Sequence, residues 1–173
     1  MVNRSPYRER QERQRTFEVF PALIENMSPH QLLRLEQRLK SGGLKDELGN
    51  CSKYLSPSES LREVISRDTA IIAAQDYNHQ TLANRLNEVF FPQNGSRAEM
   101  LEYLGQIEYC PWNDDEETTI DYRQSIFVGS NNRPSLEMSG LHLHLIKDHH
   151  FFEGEGGYRL DPLKVIHFIE LFK

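Results

Sequence analysis

Ser139 to Gly157 reads SGLHLHLIKDHHFFEGEGG and holds four of the chain's seven histidines, His142, His144, His149 and His150. Ser139 is suited to cap a helix, and Leu141, Leu145, Ile146, His149 and Phe152 trace one face at three- and four-residue spacing. The stretch therefore predicts a helix laid on a core, left through the flexible exit of Gly154, Gly156 and Gly157. Nowhere else does the chain place so much polar chemistry on a segment patterned for packing.

Several chemistries fit that pattern. On a helix His142 shares a face with His149, and His144 shares one with Asp148, so either pair can approach a common ion. Zinc takes three or four ligands in tetrahedral array, more than a pair supplies. A metal site must then recruit Cys110, Asp114, Glu153 or Glu155, and the candidate ligand set is His144, Asp148 and Cys110. No CxxC or HExxH motif calls for a cofactor, so zinc stands as the alternative to none. A catalytic reading uses His149 or His150 as general base, oriented by Asp148, Glu153 or Glu155, with Cys110 as nucleophile if it lies beside His149. The glycine-rich exit is no phosphate cradle, because it lacks a lysine and Glu153 and Glu155 repel phosphate. The plainest reading makes His149 and Phe152 core residues and leaves His142, His144 and His150 as half-exposed polar positions.

Partner binding is a further class. Neighbours on a helix point about 100° apart, so Phe151 and Phe152 do not both face one core easily. Phe151 is expected on the surface, and the same crowding puts Trp112, Tyr109 and Phe91 on a candidate interaction patch.

Upstream of the histidines the pattern changes. Thr118 to Val128 alternates Ile120 with Tyr122 and Ile126 with Val128, which predicts a tight β-hairpin turning at Arg123-Gln124-Ser125. Leu136-Glu137-Met138 is read as a brief third strand. Downstream, Asp161-Pro162 announces a last helix carrying Leu163, Ile166, Ile169 and Phe172.

The first half reads as helices. Phe17, Phe20, Leu23, Ile24 and Met27 mark one helical face, and Ser28-Pro29 caps and starts the next, which stops at Gly42-Gly43. Ser56-Pro57-Ser58-Glu59 predicts a capping box opening a helix that runs to about Gln75. After a break at Asp76-Tyr77-Asn78, HQTLANRLNEVF forms another. Its single basic residue, Arg85, favours a plain helical hairpin over a groove-reading helix. Ser96 is read as the cap of a helix through Met100, Leu101, Leu104 and Ile107. The expected fold class is thus α+β and mostly helical: a helical part over 17–110, then a hairpin and two helices over 111–173, preceded by a basic arm at 1–16.

Composition narrows the function. The net charge is −6, yet residues 1–16 carry five Arg against two Glu. The acidic body repels nucleic acid, so weak nucleic-acid binding is left to the arm alone. No apolar run spans a bilayer and no signal sequence opens the chain, which sets the cytoplasm as the expected location. Cys51 and Cys110 are expected as reduced thiols. The leading expectation is a non-enzymatic intracellular protein acting through protein contacts or self-association as a small homo-oligomer. The alternative is a small hydrolytic or metal-dependent enzyme using the His/acid cluster at 142–155.

Overall fold

The computed structural model describes residues 20–42, 53–90, 99–104, 110–112, 123–127, 136–155 and 159–172. Five α-helices carry the packed body: α1 (Pro29–Ser41), α2 (Leu61–Ala73), α3 (His79–Phe90), α4 (Gly140–His149) and α5 (Pro162–Glu170). A short 3-10 turn, Ile24–Asn26, precedes them.

Local chemistry explains the helix ends. Ser28 Oγ accepts from the Gln31 amide at 3.3 Å, Gln31 Oε1 accepts from the Ser28 amide at 3.0 Å, and Pro29 opens α1. Asn78 and Thr81 exchange the equivalent pair of bonds, 2.8 and 3.1 Å, at the start of α3. Asp161 accepts from the Leu163 amide at 2.9 Å and Pro162 opens α5. At Ser56-Pro57-Ser58-Glu59 only half of the expected box exists. Glu59 accepts from the Ser56 amide at 2.9 Å, but α2 begins at Leu61, after Ser60.

The α+β division is overturned. The body is helical, and Arg123–Phe127 runs as one extended segment, β2, straight through the turn expected at Arg123-Gln124-Ser125; the rest of Thr118 to Val128 lies outside the described residues. Strand β2 is laid antiparallel between β1 (Glu99–Leu104) and β3 (Leu136–Ser139), with Met100 opposite Ile126 and Gln124 opposite Met138. The helix expected over Met100 to Ile107 is thereby replaced by strand at Met100 to Leu104, and its remainder lies outside the described residues. EMLEYL is apolar at both helical and strand spacing, and pairing with a distant segment decides between them. Among the described residues the helix expected from Phe17 is reduced to the Ile24–Asn26 turn, so the segment from Phe20 to Met27 lies on the body as a strap.

Two apolar clusters fill the interior, and α4 lies between them. One gathers Ile72, Leu82, Leu86, Leu136, Met138, Ile146, Phe152 and the inner face of α5. The other gathers Phe20, Ile24 and Met27 of the strap with Leu35, Leu39, Leu61, Cys110, Trp112, Leu141, Leu145 and Phe151. Phe151 and Phe152 are both fully buried, one in each cluster. The helix has ended before them, so the chain is extended there and successive side chains point to opposite sides. This removes Phe151 from the expected exposed patch.

Among the described residues no helix is long and apolar enough to cross a membrane.

Candidate metal centre

The last turn of α4 sets the site. His150 has φ 57°, in the left-handed region, and lets the Phe151 amide reach the Leu145 carbonyl at 3.0 Å, six residues back. Regular α-helical spacing stops at His149. His144 and His149, five apart in sequence, meet edge to face with ring centroids 4.8 Å apart.

Their Nε2 atoms are separated by 3.0 Å, and each lies 3.3 Å from Cys110 Sγ. Cys110 comes from the far side of the sequence, carried in by Pro111, whose carbonyl accepts from Arg38 Nη1 at 2.9 Å, and by Trp112. All three groups are interior: Cys110 is 4% exposed, His149 fully buried, and His144 at the margin with 9%. Trp112 is fully buried and stacks on His149 with centroids 4.3 Å apart and planes 20° from parallel. Its indole Nε1 is buried and meets no acceptor among the described residues.

The outer nitrogens define the proton positions. His149 Nδ1 lies 2.8 Å from the Ala22 carbonyl, which only accepts, so Nδ1 carries the proton. His144 Nδ1 lies 2.8 Å from Asp148 Oδ2, and a carboxylate likewise only accepts. In the neutral rings both Nε2 atoms therefore turn lone pairs toward the same point as the Cys110 sulfur. A thiol brings one proton at most to that triangle. Three convergent donors of electron pairs, each imidazole steadied from behind by an acceptor, form the arrangement of a metal site with its outer support.

The dimensions agree. Zinc–nitrogen bonds of about 2.0–2.1 Å and a zinc–sulfur bond of about 2.3 Å at tetrahedral angles imply N···N of about 3.3 Å and N···S of about 3.6 Å. The observed 3.0 and 3.3 Å fall short by a few tenths of an ångström. A zinc site would need the rings and the sulfur to stand apart by those few tenths more. Thiolate with two imidazoles suits zinc and related borderline metals and does not suit calcium or magnesium.

The candidate residues named from sequence are distributed as follows. Cys110 and His144 converge, while Asp148 stands behind His144 as an outer partner rather than at the ligand point. His149, read as a general base, occupies the third corner. His150 turns away and stacks on His79, centroids 4.0 Å apart and planes 8° from parallel. Burial among apolar neighbours holds both rings of that pair below the ordinary imidazole pKa, His79 at about 4. Glu153 is taken by His142 at 3.0 Å, and Glu155 lies exposed, its amide donating to Glu59. Trp112, expected on an exposed patch, is interior. Asp114, Tyr109, Phe91 and the basic arm at 1–16 lie outside the described residues.

Sequence reading paired His149 with His142 rather than with His144, because a five-residue spacing puts two side chains well apart on a regular helix. The signal present was the pair His149-His150 followed by Phe-Phe, where helical periodicity breaks.

No protein-family model, characterised protein or solved structure matches the chain.

Proposed function

We propose that this chain is a metal-dependent protein that holds one zinc-class ion through Cys110 Sγ, His144 Nε2 and His149 Nε2. The observation that carries the reading is the 3.0 Å approach of two imidazole nitrogens whose opposite nitrogens are both committed as donors. Two lone pairs brought face to face repel unless a proton or a metal ion lies between them, and the Cys110 sulfur at the same point favours the metal ion. Three protein ligands also match the zinc sites that keep one position for water or substrate, where the ion lowers the pKa of bound water and polarises bonds to oxygen. Hydrolysis is the reaction class that such a position serves. A cytoplasmic setting, where thiols stay reduced, suits a thiolate ligand.

The rival reading through protein contacts loses two of its anchors, since Trp112 and Phe151 are packed around the site. A second reading, Cys110 as a nucleophile with His149 as its base, uses the same 3.3 Å contact.

Cobalt separates the two. The full-length chain titrated with Co(II) is expected to develop a thiolate-to-metal charge-transfer band that saturates at one equivalent. Zinc is expected to displace it, and Cys110→Ser to abolish it. No band, together with rapid alkylation of Cys110 that zinc leaves unchanged, would favour the nucleophile.

A further inference from the structure

Two of these three residues, Cys110 and His149, sit in a closed ring of contacts that includes the strap. Cys110 leads through Pro111 to Trp112, whose carbonyl accepts from the Phe20 amide at 3.0 Å. Phe20 leads along the strap to Ala22, whose carbonyl accepts from His149 Nδ1 at 2.8 Å. His149 Nε2 returns to Cys110 Sγ at 3.3 Å. The Cys110–His149 link is where an ion belongs, and every other link is a covalent chain or a hydrogen bond. Phe20, Ile24 and Met27 are buried in the same apolar cluster as Cys110 and Trp112, and the Arg38 guanidinium covers the Phe20 ring at 4.8 Å from its centroid.

Resting on the proposed metal site, we infer that metal occupancy controls the docking of the Phe20–Met27 strap onto α4 and the Cys110–Trp112 segment. An ion on His149 Nε2 fixes the tautomer with the proton on Nδ1 and strengthens that N–H as a donor to Ala22. It also bonds Cys110 to α4, which holds Trp112 where Phe20 needs it. Without the ion only one thiol proton is left to link Cys110 to the two rings, a weaker tie than metal bonds, and both anchors of the strap loosen together.

Linkage requires the effect to run both ways: whatever factor the ion adds to strap docking, a docked strap adds to metal affinity. The test is amide hydrogen exchange on the full-length chain, with one equivalent of zinc and with EDTA, alongside zinc titration of Phe20→Ala. This variant leaves all three ligands in place. Zinc is expected to slow exchange at Phe20, Asn26 and Met27 by roughly tenfold or more, with α3 unchanged, and Phe20→Ala is expected to bind zinc roughly tenfold more weakly. Zinc bound at one per chain with the same strap exchange in both states overturns the inference and leaves the metal site standing. Absence of any zinc binding overturns both.

Discussion

His144 and His149 face each other through Nε2 atoms 3.0 Å apart, and each is held from behind, His144 by Asp148 and His149 by the Ala22 carbonyl. Two rings with the same tautomer have been turned toward one point, and the point is shared with a sulfur. The two outer partners differ in kind. A backbone carbonyl cannot be removed by substitution, but the carboxylate can.

Asp148→Ala is therefore expected to lower zinc affinity by about 10–100-fold while leaving all three ligands and the helical content intact. Competition against a chromophoric chelator measures this. Equal affinity in the variant would mean that Asp148 is a surface acid with no share in the site.

A second buried network ties α2 to the segment after α4. Arg159 meets Asp68 twice, at 2.6 and 3.0 Å, and donates to the Glu153 carbonyl, while the Glu153 carboxylate takes His142 at 3.0 Å. The Asp68 side chain is fully buried. Asp68→Ala strands the Arg159 charge and is expected to cost about 3–5 kcal/mol in urea denaturation. Replacing both partners by apolar residues of similar volume is expected to recover much of that loss. A cost within about 0.5 kcal/mol for the single variant, the range of an ordinary surface substitution, would show that the pair is solvated in solution.

His79 supplies a pH dependence. Its folded pKa is about 4 against an ordinary 6.5, first because of burial and then because of the neighbouring His150. Thr69 Oγ1 at 3.5 Å and the Phe152 ring are its other neighbours. The unfolded chain takes up this proton at the higher pH. The contribution is thus complete above pH 6.5 and is lost as pH falls toward 4, about 3 kcal/mol in all. Denaturant titrations at pH 7, 5.5 and 4 are expected to show the decline, and His79→Gln to flatten part of it. A profile with the same slope in the variant would assign the acid sensitivity elsewhere.

Gly154 is a packing requirement. A Cβ there would meet Glu59 Oε2 and approach the Leu55 Cα to 3.0 Å. The Gly154 amide donates to the Tyr54 carbonyl at 2.6 Å, so the backbone has no freedom to withdraw. Gly154→Ala is expected to destabilise by about 1–3 kcal/mol in thermal or urea unfolding. A neutral substitution would mean the loop shifts freely against Leu55.

The helices whose signals are local were legible in the sequence. Ser28-Pro29 and Asp161-Pro162 announce α1 and α5 within the residues that form the caps, and Asp76-Tyr77-Asn78 marks the break before α3. What failed depends on distant pairing. Met100 to Leu104 has a helix-compatible face and becomes a strand because Arg123–Phe127 lies beside it. The site failed in part for a related reason. The residues 142–155 were marked by their chemistry, and Cys110 was named, but His149 joins His144 across a five-residue spacing that no local motif announces. Trp112 was misplaced because an aromatic beside an acidic loop looks exposed until its partner, the His149 ring, is known.

The most direct test of the metal site is native mass spectrometry of the full-length chain, purified without chelator or affinity tag and supplied with zinc. The account predicts one zinc per chain in the unmodified protein, lost in Cys110→Ser and in His149→Ala. A bare chain mass in the presence of zinc, or zinc retained equally by both variants, would contradict it.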